Sequence, residues 1–183
     1  FNIAREHLDF FAFTPHSQWH DMPIMPQDKH MVWVNGFKAH RAGWPMALEL
    51  TADMYEPGRF VTFAGYEWSG DRTRWGDHNV FFPFDDPPLD LSLHIDDLYA
   101  RLRELGAIAI PHHTGYAFAN RGKDWAHYDE EVSPFAEIYS VHGSSEACGT
   151  PFTMMRNGAM SPRVSMNTVQ AGLDRGYRLG IIA

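Results

Sequence analysis

Six short apolar runs, spaced by helical patterns and by turns rich in proline and glycine, limit what this chain of 183 residues can fold into. They are Leu8–Thr14, Phe60–Glu67, His78–Phe82, Ala107–Ile110, Phe135–Val141 and Leu179–Ala183. Each is too short for a helix and rich in the β-branched and aromatic residues that suit a pleated surface. Between them, Met31 to Tyr55 carries a long helical pattern expected to break at Gly43-Trp44-Pro45. Leu93–Leu105 reads as an amphipathic helix with Gly106 at its C-terminal cap, and Val169–Arg175 as a second helix. Strands alternating with helices predict an α/β fold with a mainly parallel sheet or barrel.

The composition fits one ordinary domain: 44% hydrophobic and 21% charged residues supply a core and leave no disordered or coiled-coil character. A net charge of −8 without a basic stripe excludes duplex nucleic acid as a partner. The single cysteine, Cys148, excludes an intrachain disulfide framework and any multi-cysteine zinc site, so metal chemistry must use His, Asp and Glu. No run of 18 apolar residues and no signal-peptide pattern occurs, so no membrane segment is expected and the cytoplasm is favoured. The compartment stays open because both ends read as cut. Phe1 falls inside a helical pattern and Ala183 inside an apolar run, as in an internal fragment of a longer protein.

In parallel α/β folds, chemistry collects beyond the carboxyl ends of the strands. His16 follows the first run, Glu67 closes the second, His112 and His113 follow the fourth, and His142 follows the fifth. His78 opens the third run, but Glu67 and His78 flank one loop, and a hairpin there brings both to the same end. Imidazoles and a carboxylate without thiolates suit Zn²⁺, Mn²⁺ or Fe²⁺ and support adjacent ions. Bound metal brings the pKa of water toward ~7, which favours hydrolysis. Glu67, between an apolar strand and Trp68, needs a cation or hydrogen-bond donors to offset its desolvation; a salt bridge to Arg72 or Arg74 is the alternative to a metal. Arg72 and Arg74 could instead clamp a small anionic substrate, or be ordinary solvated loop residues.

The segments Leu8-Asp9-Phe10-Phe11-Ala12-Phe13-Thr14-Pro15-His16, Gly65-Tyr66-Glu67-Trp68, His78-Asn79-Val80, Ile110-Pro111-His112-His113 and Glu137-Ile138-Tyr139-Ser140 together resemble the PHP (polymerase and histidinol phosphatase) superfamily. The resemblance implies a distorted (β/α)7 barrel, of which residues 1–183 are the incomplete central part of one domain. It further implies two or three divalent metals at the strand ends for phosphoester hydrolysis by metal-bound hydroxide. His16 would match the His of the family's Thr-Asp-His, Glu67 its bridging glutamate, His78 the following His, and His112 or His113 the fourth-strand ligand. Glu137 and His142 would match a recurrent segment of unassigned role. Pro15 stands where the family has Asp. The family's opening His-x-His would precede Phe1 and its closing Asp-x-His would follow Ala183. A metal-retaining but inactive binding or structural module is the alternative function.

Overall fold

The computed structural model describes residues 1–17, 41–71, 74–118, 121–152, 154 and 163–183. After helix α1 (Asn2–His7), strand β1 (Phe10–Phe13) begins a sheet completed by β2 (Val61–Trp68), β3 (Asp77–Phe82) and β4 (Ile108–His112). The spatial order is β1-β2-β3-β4. Only β1 and β2 run parallel; β2 with β3 and β3 with β4 are antiparallel. Helix α2 (Trp44–Asp53) lies between β1 and β2 in the chain, and α3 (Ile95–Leu105) between β3 and β4. Beyond β4, β5 (Phe135–Glu137) pairs in parallel with β8 (Gly180–Ile182), and β6 (Tyr139–Ser140) pairs with β7 (Gly143–Ser144). Helix α4 (Val169–Asp174) precedes β8.

This arrangement corrects the expected (β/α)7 barrel of PHP type. The four-stranded sheet is mixed, and no closed barrel forms among the described residues. The physical reason lies in the connections. A parallel crossover needs a dozen or more residues, usually including a helix, whereas only residues 69–76 separate β2 from β3. That link is a return, as the hairpin reading of Trp68 to Asp77 requires. The expected break at Gly43-Trp44-Pro45 coincides with the start of α2. Pro45 sits in its first turn, where its missing N–H costs no intrahelical bond. The portion of that helical pattern within residues 18–40 lies outside the described residues.

The main core covers one face of the sheet. Alternation along the strands places Tyr66 and Trp68 of β2, Val80 and Phe82 of β3 and Ala109 of β4 on that face, against Trp44 of α2. Helix α3 adds Ile95, Leu98, Tyr99 and Leu102, the i, i+3, i+4, i+7 stripe of an amphipathic helix. Asp96 and Asp97 in its first turn and Arg103 in its last complement the helix dipole. Gly106 ends the helix at φ 63°, a left-handed conformation with no steric penalty for glycine, as the sequence anticipates. A second cluster of Trp125, Ala136 and Val169 ties α4 to β5. At the outer edge, β1 leaves Phe10 67% and Phe13 50% exposed.

Leu98 is fully buried in the main core. Leu98→Ala is therefore expected to lower unfolding stability by about 3 kcal/mol, the range for removing a buried leucine side chain with partial collapse of the cavity. Urea denaturation monitored by tryptophan fluorescence measures it; a loss below about 1 kcal/mol would show that α3 does not pack as described.

A candidate metal centre on the second face of the sheet

The register of β2 against β3 decides which polar side chains meet. Glu67 pairs with Asn79 and Trp68 pairs with His78, so Glu67 and His78 fall on opposite faces although both lie at the same end of the hairpin. Asp77 shares the Glu67 face and pairs across β3 and β4 with His112. Past β1 the chain continues alongside β2. Pro15 C=O accepts from Glu67 N–H at 2.9 Å and Ser17 N–H donates to Glu67 C=O at 3.0 Å, which brings His16 Nδ1 to 3.2 Å from Glu67 Oε2.

On this face the donors converge. Glu67, Asp77 and His113 form one group and His112, His113 and His142 another, with the potential ligand atoms of each group within 4.8 Å of one another. Two donors on one ion at ~2.1 Å can be at most about 4.2 Å apart, so small side-chain adjustments bring either group into ligating range. His113 belongs to both. Its ring is fully buried, Nε2 lies 3.2 Å from Asp77 Oδ2, and Nδ1 has no hydrogen-bond partner among the described residues. Its backbone is held at φ 35°, an uncommon conformation for a non-glycine residue and one that recurs at functional sites.

Neighbouring groups orient the other imidazoles. Glu137 accepts from His112 Nδ1 at 2.7 Å through one oxygen and from the His113 backbone N–H at 3.0 Å through the other. This bond fixes the His112 ring with Nε2 left for a ligand. Tyr116 Oη and His142 Nδ1 are 3.1 Å apart, which constrains the His142 ring in the same way. The cation facing the carboxylates is Arg121. It reaches Glu67 Oε1 at 3.2 Å and makes a close two-pronged contact with Asp77. Gly122, the next residue, passes so tightly against the Tyr116 carbonyl that a Cβ there would overlap it, and this close passage delivers Arg121 to the cluster.

The electrostatics follow from burial. Removal from water pushes the Glu67 carboxyl up to about 7; His112 and Arg121 oppose that shift and Asp77 adds to it. Burial and the neighbouring His112 hold His113 well below the usual histidine range, in the neutral form that ligates metal. Burial works against protonation of His112, but its bond to Glu137 and the charges of Glu67, Glu137 and Asp77 raise it overall. Glu137 is lowered in turn: burial opposes ionisation, and the His112 hydrogen bond outweighs it.

Of the residues expected from sequence, His16, Glu67, His112, His113 and His142 are brought together and His78 is not. His78 is buried under the main core, with Nε2 3.3 Å from both Lys123 Nζ and Tyr99 Oη. Burial and the Lys123 charge hold it well below the usual histidine range. Lys123 also donates to the Tyr99 hydroxyl at 3.2 Å and to the His127 carbonyl at 2.6 Å, so this second cluster is a structural network in which His78 Nε2 is engaged by the protein itself. Arg74 is 68% exposed and pairs with Asp71 at 3.4 Å, which leaves the cluster's cation to Arg121; Arg72 lies outside the described residues. Sequence reasoning missed Asp77, Tyr116 and Arg121 and gave Glu137 no role. Asp77 had a signal: it adjoins His78, and strand alternation puts it on the opposite face. The loop holding Arg121 has no periodicity that could have marked it.

Two expectations follow. His78→Gln should reduce stability by about 1–3 kcal/mol, by disturbing buried hydrogen bonds to Lys123 and Tyr99, while leaving divalent-metal affinity unchanged. Denaturation and calorimetric titration with Zn²⁺ test the two halves, and loss of metal affinity would return His78 to the site. The second concerns pH. Glu67 has a raised pKa in the folded state, so its contribution to metal-free stability is full below about 4.5 and is lost as pH rises through about 7. Metal must bind the ionised form, so Zn²⁺ affinity should rise by about tenfold per pH unit below that pKa. Titrations between pH 5.5 and 7.5 showing a flat affinity would exclude Glu67 as a ligand.

Comparison with known proteins places the chain in a family. An uncharacterized protein of Chlamydia pneumoniae is 26% identical over 148 residues, covering 76% of this chain and 23% of that protein. The chain thus spans less than a quarter of the length of this relative. No solved structure matches. No described helix is long and apolar enough to cross a membrane. A family model described as a protein of unknown function, DUF3604, matches residues 14–151, more than half of the chain and the segment that carries the clustered side chains from His16 to His142, and the chain belongs to that family.

Proposed function

We propose that this chain contributes a divalent-metal site to a metal-dependent hydrolase acting on a small anionic ester, with a phosphoester as the first candidate. The observation that carries the reading is His113, a fully buried imidazole with one nitrogen unpartnered among the described residues, shared by two groups of potential ligands. Leaving a buried polar nitrogen unpaired costs about 1–3 kcal/mol, a cost that coordination removes. Glu67, Asp77 and His113, or His112, His113 and His142, would hold an ion, since a neutral His113 offers one lone pair to one group at a time; Zn²⁺, Mn²⁺ or Fe²⁺ suit these nitrogen and oxygen donors. His16, beside Glu67, extends the first group.

A bound divalent ion supplies Lewis acidity, activating water and offsetting charge on the ester. The protein's part is positioning. Glu137 and Tyr116 hold the His112 and His142 rings, and Arg121 brings a positive charge to the same face for an anionic group. Phosphoesters are the substrates implied by the resemblance of the strand-end motifs to the PHP superfamily. The second reading is a metal-binding module without turnover. It is favoured by Pro15, which leaves no carboxylate beside His16 at that position.

Metal analysis of the full-length protein is expected to find Zn²⁺, Mn²⁺ or Fe²⁺, and His113→Ala is expected to lose most of it. Hydrolysis of a generic phosphomonoester or phosphodiester should disappear on chelation and return with Mn²⁺ or Zn²⁺. Metal retention in His113→Ala at the wild-type level sinks the site. Stoichiometric metal without turnover of any phosphoester selects the binding module.

A further inference from the structure

The cluster already contains a cation, supplied by the chain itself. Arg121 Nη2 lies 3.2 Å from Glu67 Oε1, and its Nε and Nη2 both approach the same Asp77 oxygen that faces His113 Nε2. Its guanidinium therefore contacts both carboxylates of the Glu67/Asp77/His113 group. The arginine side chain is 12% exposed and the Asp77 side chain is fully buried, so little water screens these contacts. Two buried carboxylates need a positive partner, and a guanidinium and a divalent ion cannot both take the same lone pairs. The backbone accommodates this contact at a cost: Arg121 sits at φ 75°, left-handed for a non-glycine residue, beside the tight passage of Gly122.

We propose that Arg121 is a tethered counter-ion that neutralises Glu67 and Asp77 when no metal is bound, is displaced by the first divalent cation, and then serves as the contact for an oxyanion of the substrate. The inference rests on the metal reading of the cluster. Its physical basis is exchange of one positive partner for another at the same two carboxylates. The released guanidinium stays on a short tether and presents its donor fork to a phosphate-like group. The competing cation lowers metal affinity, and metal binding creates the anion site.

The test uses wild type, Arg121→Gln and Arg121→Lys, with Zn²⁺ alone and then with inorganic phosphate as probes. Calorimetry should show Arg121→Gln binding Zn²⁺ at least tenfold more tightly than wild type, while its metal-free form melts at a lower temperature. Phosphate should bind Zn²⁺-loaded wild type, at least tenfold more weakly Zn²⁺-loaded Arg121→Gln, and metal-free wild type not measurably. Arg121→Lys keeps the charge without the fork and should resemble wild type toward Zn²⁺ and Arg121→Gln toward phosphate. In wild type alone, the Arg121 Nε–H resonance should shift on Zn²⁺ saturation and again with phosphate, a readout that holds even where Arg121→Gln does not fold. Unchanged Zn²⁺ affinity in folded Arg121→Gln, or an Arg121 resonance that ignores Zn²⁺, overturns the counter-ion role. Equal phosphate binding by Zn²⁺-loaded wild type and Arg121→Gln overturns the oxyanion role. If none of the three proteins binds Zn²⁺, the metal reading fails first and the inference with it.

Discussion

The pairing of Glu67 with Asn79 across the β2/β3 hairpin governs the rest of the site. Because side chains alternate along a strand, this one register sends Glu67 and Asp77 to one face of the sheet and Trp68 and His78 to the other. The first face gathers the acids and imidazoles, and the second packs against α3. Neither surface could be assembled without the other, since adjacent residues of β3 serve both. Asp77 and His78, neighbours in sequence, end with opposite duties: one faces a cation and the other accepts from a buried lysine.

The two polar clusters illustrate two ways of settling buried charge. Around Lys123, the ammonium group meets His78 Nε2, the Tyr99 hydroxyl and the His127 carbonyl, and burial nonetheless pushes the amine down to about 7. Such a network fixes the spacing between the sheet, α3 and the loop that carries Arg121. Around His113 the accounts stay open. Carboxylates crowd one side of the ring and a second nitrogen faces no partner among the described residues. What separates the two is the company each imidazole keeps: His78 sits beside a lysine and a phenol, whereas His113 belongs to two groups of potential ligands.

How much was legible in the sequence depended on how local the signal was. The short apolar strands, the amphipathic stripe from Ile95 to Leu102 and the glycine at the end of α3 follow from periodicity and backbone sterics within a few residues, and they formed as expected except for Phe135–Val141, which splits into β5 and β6 in two different sheets. Ligand-bearing strand ends were visible for the same reason, since His142 directly follows an apolar run and His112 and His113 follow another after Pro111. Sheet topology was legible only at the short β2/β3 link, which reads as a hairpin; the antiparallel pairing of β3 with β4 runs through a helix-bearing connection that the residue pattern equally allows to be parallel. Nearness in the hairpin points to His78 as a ligand, but its parity against Glu67 places it on the other face. Arg121 arrives from an irregular loop, and its ion pairs with Glu67 and Asp77 span 54 and 44 residues of sequence, a separation at which no local pattern survives.

The outer strand of the sheet has a practical side. Among the described residues strand β1 pairs with β2 alone, so its other side carries a row of backbone donors and acceptors with no strand partner there, flanked by the partly bare rings of Phe10 and Phe13. Such an edge is a template for another extended segment, and no charged side chain or proline within Phe10–Phe13 blunts it. For this chain in a test tube, concentration becomes a variable in its own right. Handling it dilute keeps strand-to-strand association between molecules from outrunning the folding of each one.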